Sequence, residues 1–152
     1  MKYKKYLLFL WNFWLPFVGS GIKITSVSNN FRDVTVRLKK RPWTSNYVGT
    51  QYGGSMFSMT DPFYMVMLVL NLGRDFIVWD KSAKISYLKP GRTALTAKFH
   101  MSDETLQSIR SQAIQHGKTE WDVVVQIKDS NDVVVAEVEK KLWIKYKNTK
   151  TD

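Results

Sequence analysis

The feature that most constrains this chain is an apolar segment near its middle that has no polar face. From Gly54 to Leu72 nearly every residue is apolar, and the one carboxylate is Asp61. A helix that is apolar all round is expected to be buried all round. The rest of the chain must therefore form a surface that encloses this helix, which Gly73 is suited to end.

The flanking sequence predicts that the enclosing surface is a β-sheet. Apolar and polar residues alternate as in half-buried strands. The expected strand ranges are 22–28, 32–40, 76–88, 93–101, 120–128 and 133–146. A further helix is expected over 103–116, capped by Ser102 or Asp103 and closed by Gly117. We therefore predict an α+β fold in one domain spanning residues 1–152, with about six antiparallel strands curled around the central helix.

The N-terminal segment is basic and rich in tryptophan. Three lysines precede an apolar run from Leu7 to Val18, which has the outline of a signal peptide but is too short to span a bilayer. Leu7, Trp11, Trp14 and Val18 would share one helical face. We expect a retained N-terminal helix within residues 1–18, running from Lys4 to about Leu15, ended by Pro16 and packed on the domain. Contact of this helix with a membrane surface is an alternative that the sequence does not favour.

Composition narrows the function classes. The formal net charge is +10, which favours anionic partners. The absence of cysteine removes disulfides, thiol nucleophiles and cysteine-bound metals, and agrees with a cytoplasmic protein. The aromatic residues fall mainly in core positions and do not interleave with the basic ones, so no nucleic-acid partner is expected. The two histidines lack metal-ligand spacing, so no metal site is expected.

Asp61 allows two interpretations. A carboxylate in apolar surroundings is a candidate for chemistry, because such surroundings perturb a pKa. Asp61 followed by Pro62 is also a good helix start, with the aspartate as N-cap. Local rules favour a helix that starts at Asp61. If the helix starts at Gly54 instead, Pro62 must kink it and free the carbonyl of Ser58.

Four stretches carry a family resemblance. They are WLPFVGSGI (14–22), NYVGTQYGGSMFSMTDPFYM (46–65), VWDKSAKISYLKPG (78–91) and VVAEVEKKLWIKYK (134–147). Together they resemble the hot-dog-fold acyl-CoA thioesterases related to the phenylacetate-degradation thioesterase, and more closely an uncharacterised bacterial branch of that superfamily. The resemblance implies a helix that begins near Gly53 and Gly54, bends at Pro62 and contains Asp61.

The resemblance also implies a reaction, the hydrolysis of an acyl-CoA thioester. Asp61 would act as general base or nucleophile on a thioester held against the helix start of a partner subunit. The backbone N–H groups of Gly53 and Gly54 would hold the oxyanion, and Asn46 would orient water or the carbonyl, unless it bonds only its own loop. No cofactor is implied beyond the coenzyme A part of the substrate.

Further candidates surround these residues. Ser58 and Thr60 would support Asp61 or bond back to their own turn. Tyr52 occupies a position that is often histidine in active thioesterases, and a tyrosine is a poor base near neutral pH.

The phosphates of coenzyme A require cations. The candidates are Lys81, Lys84, Lys89 and Arg92. The phase of Lys81 puts it on the apolar side of its strand, where it would pair with Asp61. A local bulge that returns Lys81 to solvent is the favoured alternative.

The expected assembly is a homodimer or tetramer that pairs through the strand over 76–88. The main alternative function is a non-catalytic acyl-CoA or fatty-acyl binding module, which Tyr52 favours.

Overall fold

The computed structural model of the chain describes Tyr6 and residues 9–147. Six strands form one antiparallel sheet in the order β1-β2-β4-β5-β6-β3. The strands are β1 (Ile22–Val27), β2 (Asp33–Leu38), β3 (Phe76–Tyr87), β4 (Leu95–His100), β5 (Lys118–Lys128) and β6 (Val134–Tyr146). The helices are α1 (Leu15–Ser20), α2 (Gly53–Ser58), α3 (Phe63–Leu72) and α4 (Asp103–His116). Among these residues, no helix has the length and apolar content needed to cross a bilayer.

The sheet wraps α2 and α3, which confirms the predicted fold class. Each observed strand lies within two residues of its predicted limits. Alternate residues of the strands point at the central helix, where Phe63 packs on Phe99 of β4 with ring centroids 5.0 Å apart. The core therefore sits between the concave face of the sheet and the central helix.

The central helix is broken rather than bent. It begins at Gly53, as the resemblance implies, but residues 59–62 leave the helical conformation and α3 restarts at Phe63. Proline lacks an N–H group and its ring collides with the preceding turn, which accounts for a break at Pro62. Asp61 lies in this break, so it neither caps α3 nor sits within a helix. The N-cap interpretation of Asp61 was therefore wrong. The long central helix that begins near Gly53 is confirmed, with an irregular stretch at Asp61 and Pro62 where the resemblance implies only a bend.

The expectation that the helix is buried on every side is wrong for the single chain. Five residues of α3 are buried, whereas Val69 is exposed. The sheet covers only one face of α3, and α4 covers part of the other. Arg110 of α4 donates hydrogen bonds to the carbonyls of Asn71 and Leu72 at 3.1 and 3.3 Å.

The N-terminal segment also differs from its prediction. Tyr6, Phe9 and Leu10 are helical, as predicted. A 3₁₀ turn follows at Trp11–Phe13, before the predicted end at Leu15, and Pro16 lies in the first turn of α1 instead of ending a helix. Proline suits that position because the first N–H groups of a helix have no partner within it. Phe17 is buried and anchors the segment on the core. The predicted start at Lys4 lies outside the described residues.

The two edges of the sheet differ in how they are protected. At β1 the side chain of Asn12 donates to the carbonyl of Ile24 (3.2 Å) and accepts from its N–H (2.7 Å), which occupies the free edge. At the other edge, β3 is 12 residues long, and Trp79 is 67% exposed. A long apolar edge strand is a template for pairing with another chain.

The odd-numbered apolar residues at the start of β3 face outward. Ile77 and Trp79 are exposed, whereas Phe76 and Val78 are buried. The apolar odd-numbered phase of β3 is therefore outward, so the interpretation that this phase puts Lys81 on the core side was wrong, and Lys81 is exposed as the favoured alternative predicted.

Candidate functional site

The break in the central helix lies over a buried lysine on the concave face of the sheet. The side chain of Lys140 is 2% exposed, and its Nζ lies 3.2 Å from Asp80 Oδ1 and 3.5 Å from Asp61 Oδ1. Nζ also donates to the carbonyl of Thr60 at 3.4 Å. We call Lys140, Asp61 and Asp80 the lysine cluster. Sequence reasoning did not identify Lys140 or Asp80.

Strand phase builds the lysine cluster. In β6 the even-numbered residues point at the core, and Lys140 lies between buried Val138 and Leu142. Asp80 of β3 lies opposite buried Leu142 and points to the same interior as Phe76 and Val78. The register of β3 against β6 shifts only after Asp80, between Asp80 and Ser82.

The charges of the lysine cluster are unequally buried. The Asp61 side chain is 67% exposed and that of Asp80 is 24% exposed, so the expectation that Asp61 is enclosed by apolar residues is wrong for the single chain. Burial raises the pKa of Asp80; the charge of Lys140 opposes this shift and the nearby Asp61 reinforces it. The buried ammonium of Lys140 is thus the counter-ion of two carboxylates. Asp61 is the more exposed of the two and is the one that a ligand can reach.

A second candidate region surrounds the start of α2. A cavity of about 480 Å³ is lined by Gly53, Tyr87, Lys89 and Arg92 among others; we call it the glycine cavity. The N–H of Met56 bonds the carbonyl of Tyr52 at 3.1 Å. The N–H groups of residues 53 and 54 precede this first helical bond, so they have no acceptor within the helix.

The side chains of Tyr52 and Tyr87 lie against Gly54 and Gly53. A Cβ atom at Gly53 would lie 2.8 Å from the Tyr87 hydroxyl, and one at Gly54 would lie 2.5 Å from Tyr52 Cε1. Burial raises the pKa of Tyr87, with Tyr52 as a second cause, so the Tyr87 hydroxyl is a neutral hydrogen-bond donor near pH 7. Sequence analysis treated Tyr87 only as a strand residue, because its approach to Gly53 depends on tertiary packing.

The polar candidates near these regions mostly bond their own backbone. Asn46 accepts from the N–H of Thr50 at 3.0 Å and donates to its hydroxyl at 2.8 Å. Thr60 is buried and donates to the carbonyl of Phe57 at 2.8 Å, while Ser58 is exposed. The alternatives of a loop-bonding Asn46 and a back-bonding Thr60 are therefore the observed ones.

The four cation candidates divide between two places. Lys89 and Arg92 line the glycine cavity. Lys84 pairs with Glu139 at 3.8 Å, and Lys81 forms an ion pair with Glu120 on the exposed surface of the sheet. The proposed pairing of Lys81 with Asp61 is wrong, and the favoured bulge beside Lys81 is confirmed.

In the single chain the lysine cluster and the glycine cavity are separate. Asp61 and Gly53 lie at opposite ends of α2, a helix of six residues and therefore about 9 Å long. Asp61 is close to Asp80 of β3, however, and Gly53 is close to Tyr87 at the other end of the same strand. Both regions thus border the open edge of the sheet.

A six-stranded antiparallel sheet around a central helix defines a hot-dog fold. Residues 4–144 match the model of a family described as a domain of unknown function, DUF4442, and the chain belongs to that family. No curated protein matches the sequence.

Solved structures share the fold at low sequence identity. PA5026 of Pseudomonas aeruginosa, a probable thioesterase of unknown function, is 20% identical with a TM-score of 0.78, covering 90% of this chain and 91% of that one. Thioesterase HI1161 of Haemophilus influenzae is 13% identical with a TM-score of 0.61, covering 90% and 87%. The smu.793 protein of Streptococcus mutans, bound to acetyl-CoA, is 18% identical with a TM-score of 0.56, covering 82% and 89%.

Proposed function

We propose that this protein is an acyl-CoA thioesterase that hydrolyses an acyl-CoA thioester to a free acid and coenzyme A. One observation carries the proposal: the Asp61 carboxylate is exposed at a break in the central helix and is held by the buried Lys140 beside an open strand edge. The hot-dog neighbours support it, since PA5026 and HI1161 are described as thioesterases and the smu.793 protein binds acetyl-CoA.

The site is proposed to form between two subunits of a homodimer. If two copies of β3 pair in antiparallel fashion about a two-fold axis between Ala83 and Lys84, Asp80 lies opposite Tyr87 of the partner subunit. Asp61 of one subunit then faces the glycine cavity of the other. This arrangement explains why the two regions are separate in the single chain yet border the same edge.

Each residue then has a role in the reaction. The N–H groups of Gly53 and Gly54 hydrogen-bond the thioester oxygen as it gains negative charge. Asp61 takes a proton from water as the water oxygen attacks the carbonyl carbon, or attacks directly to form an anhydride that water then opens. The carbon–sulfur bond breaks, the coenzyme leaves as a thiolate and is protonated, and Lys140 acts as a positioning residue for Asp61.

The coenzyme is proposed to bind along the glycine cavity. Lys89 and Arg92 there supply cations for its phosphates. Asn46, Ser58 and Thr60 are left as structural supports of the loop and of the helix break. The reaction needs no cofactor beyond the substrate's own coenzyme A.

A binding module without catalysis is the second candidate function. The observation that favours it is the Tyr52 ring packed at Gly54, where active thioesterases often have histidine. Stabilisation of the fold by acyl-CoA without release of free coenzyme A would support this alternative.

Release of free coenzyme A from short, medium, long and aromatic acyl-CoAs tests the proposal. Wild type and Asp61→Asn are compared, with Asp75→Asn as a control that removes another exposed carboxylate. We expect Asp61→Asn to lower turnover by about 100-fold or more and the control to match wild type. Turnover that survives Asp61→Asn would refute the mechanism, and no turnover from folded wild type would leave the binding module.

A further inference from the structure

We propose that the N-terminal aromatic surface of this protein docks on the surface of an anionic membrane. The surface comprises Leu10, Phe13, Trp14, Leu15, Val18 and Trp43, all of them exposed. This inference is independent of the proposed hydrolase activity.

Five of the six apolar side chains line two grooves that share Phe13. Leu15 is 81% exposed and Phe13 is 79% exposed. Phe13 lines both a cavity of about 690 Å³ that also includes Val18 and Trp43, and a second groove of about 460 Å³. Scattered single apolar residues are normal on a protein surface, but a contiguous group of large ones marks an interaction site.

Cations border this face and identify its partner. Lys23, Lys39 and Arg41 line the larger cavity, and the Arg41 guanidinium stacks over the Trp43 ring at 5.5 Å. Residues 1–61 contain nine Lys and Arg but two carboxylates, Asp33 and Asp61, so this part of the chain carries +7 of the net +10. Aromatic side chains flanked by cations suit the headgroup region of an anionic bilayer.

The charge argues against a second copy of this chain as the partner. A self-contact through this face would bring Lys23, Lys39 and Arg41 of two copies together, and like charges in contact are repulsive. The described residues that line the two grooves include no carboxylate, and the nearby Asp61 is already paired with Lys140. An anionic lipid surface neutralises the same cations. The helix α1 is short and Phe17 fixes it to the core, so the face is suited to lie on the membrane.

The position of the surface also fits the proposed function. Pro62, which follows Asp61, lines the second groove together with Leu10, Trp11 and Trp14. A docked protein would therefore hold Asp61 beside the bilayer surface. This relation rests on the proposed thioesterase activity, whereas the docking itself does not.

Binding of the full chain to vesicles tests the inference. The vesicles are phosphatidylcholine alone or phosphatidylcholine with phosphatidylglycerol, and bound protein is measured by flotation at low and physiological salt. Binding is expected only with phosphatidylglycerol, with an affinity that falls as salt is added. Absence of binding to phosphatidylglycerol vesicles at low salt would overturn the proposal.

Paired variants locate the binding face. Phe13→Ser with Leu15→Ser is expected to weaken partitioning by about tenfold or more. Ile114→Ser with Val124→Ser, which removes two exposed apolar residues elsewhere (50% and 54% exposed), should leave it unchanged. Equal losses in the two double variants would overturn the assignment, as would a change in oligomeric state in the first variant in place of lost vesicle binding.

A second pair of double variants separates the effect of the cations on this face from that of the total charge. Lys23→Gln with Arg41→Gln and Lys98→Gln with Lys145→Gln each remove two exposed cations. The first pair should lower binding several-fold more than the second, because local cations approach the headgroups within a Debye length. Equal effects would mean that the whole-protein charge, not this face, governs binding.

Discussion

Replacement of Lys140 by methionine tests whether the lysine cluster holds the helix break against the sheet. The change keeps the length of the buried side chain but removes the ammonium that lies 3.2 Å from Asp80 and 3.5 Å from Asp61. Removal of one partner from a buried ion pair costs about 3–5 kcal/mol. Asp80 is partly hydrated and Asp61 is largely exposed, so solvent offsets part of this cost and we expect the free energy of unfolding to fall by about 2–3 kcal/mol.

Thermal unfolding measures this loss. In a chain of this size each kcal/mol shifts the midpoint by about 2–4 °C, so the midpoint should fall by about 4–12 °C. Lys141→Met is the control, because this neighbouring lysine is on the surface with Glu120 and Asp122, and its midpoint should stay close to that of wild type. A Lys140→Met midpoint equal to the control would refute the reasoning.

The pH dependence of the loss gives a second check. Folding raises the pKa of Asp80, so the folded state binds this proton more tightly and the ionisation of Asp80 lowers stability as pH rises. Lys140 opposes that shift, so its removal should raise the pKa of Asp80 further. The destabilisation should therefore be larger at pH 7 than near pH 4, because a pKa raised above its ordinary value leaves more of the carboxyl protonated at the lower pH. An equal loss at both pH values would show that lost packing, not charge, is responsible.

Three further perturbations follow from the fold and the site. Trp79→Lys puts a charge on the open edge strand and should convert a dimer to monomers in light scattering, whereas an unchanged mass would exclude pairing through β3. Gly53→Ala introduces a Cβ 2.8 Å from the Tyr87 hydroxyl; it should lower kcat with little change in the unfolding midpoint, and unchanged kinetics would exclude the helix start from the site. Asn12→Ala removes the side-chain amide that hydrogen-bonds the N–H and the carbonyl of Ile24. The free energy of unfolding in denaturant should fall by about 1–2 kcal/mol, and no fall would mean that water replaces the amide.

The sequence predicted the elements whose signals are local. Alternation located the six strands, and the helix α4 has its predicted limits because Ser102 caps the N–H of Thr105 and Gly117 adopts a φ of 75°. The end of the N-terminal helix was predicted wrongly because Pro16 is compatible with either a helix end or a helix start. The geometry of the break at Pro62 was missed for a related reason: one interpretation started the helix at Asp61 and the other carried it through Pro62 with a kink, and neither allowed an irregular stretch between two helices.

The lysine cluster was not predicted because its three residues are far apart in the sequence and meet only in the folded chain. Lys140 occupies an inward position in β6, and that phase was a usable signal, but Glu139 and Lys141 make the stretch resemble a solvated face. Its contact with Asp80 depends on the pairing of β3 with β6, and its contact with Asp61 depends on the helix break. The sequence correctly favoured a bulge at Lys81, but it assigned the odd-numbered residues of β3 to the inward face, so it did not place Asp80 beside Lys140.

A mixed-dimer experiment tests the central claim, that Asp61 of one subunit acts on a thioester held at Gly53 of another. The inactive variants Asp61→Asn and Gly53→Val are mixed under conditions that exchange subunits, and release of coenzyme A is measured. A mixed dimer contains one intact site, so random mixing of equal amounts should restore about a quarter of wild-type activity. Activity that stays at the level of the separate variants, with subunit exchange demonstrated, would contradict a site shared between subunits.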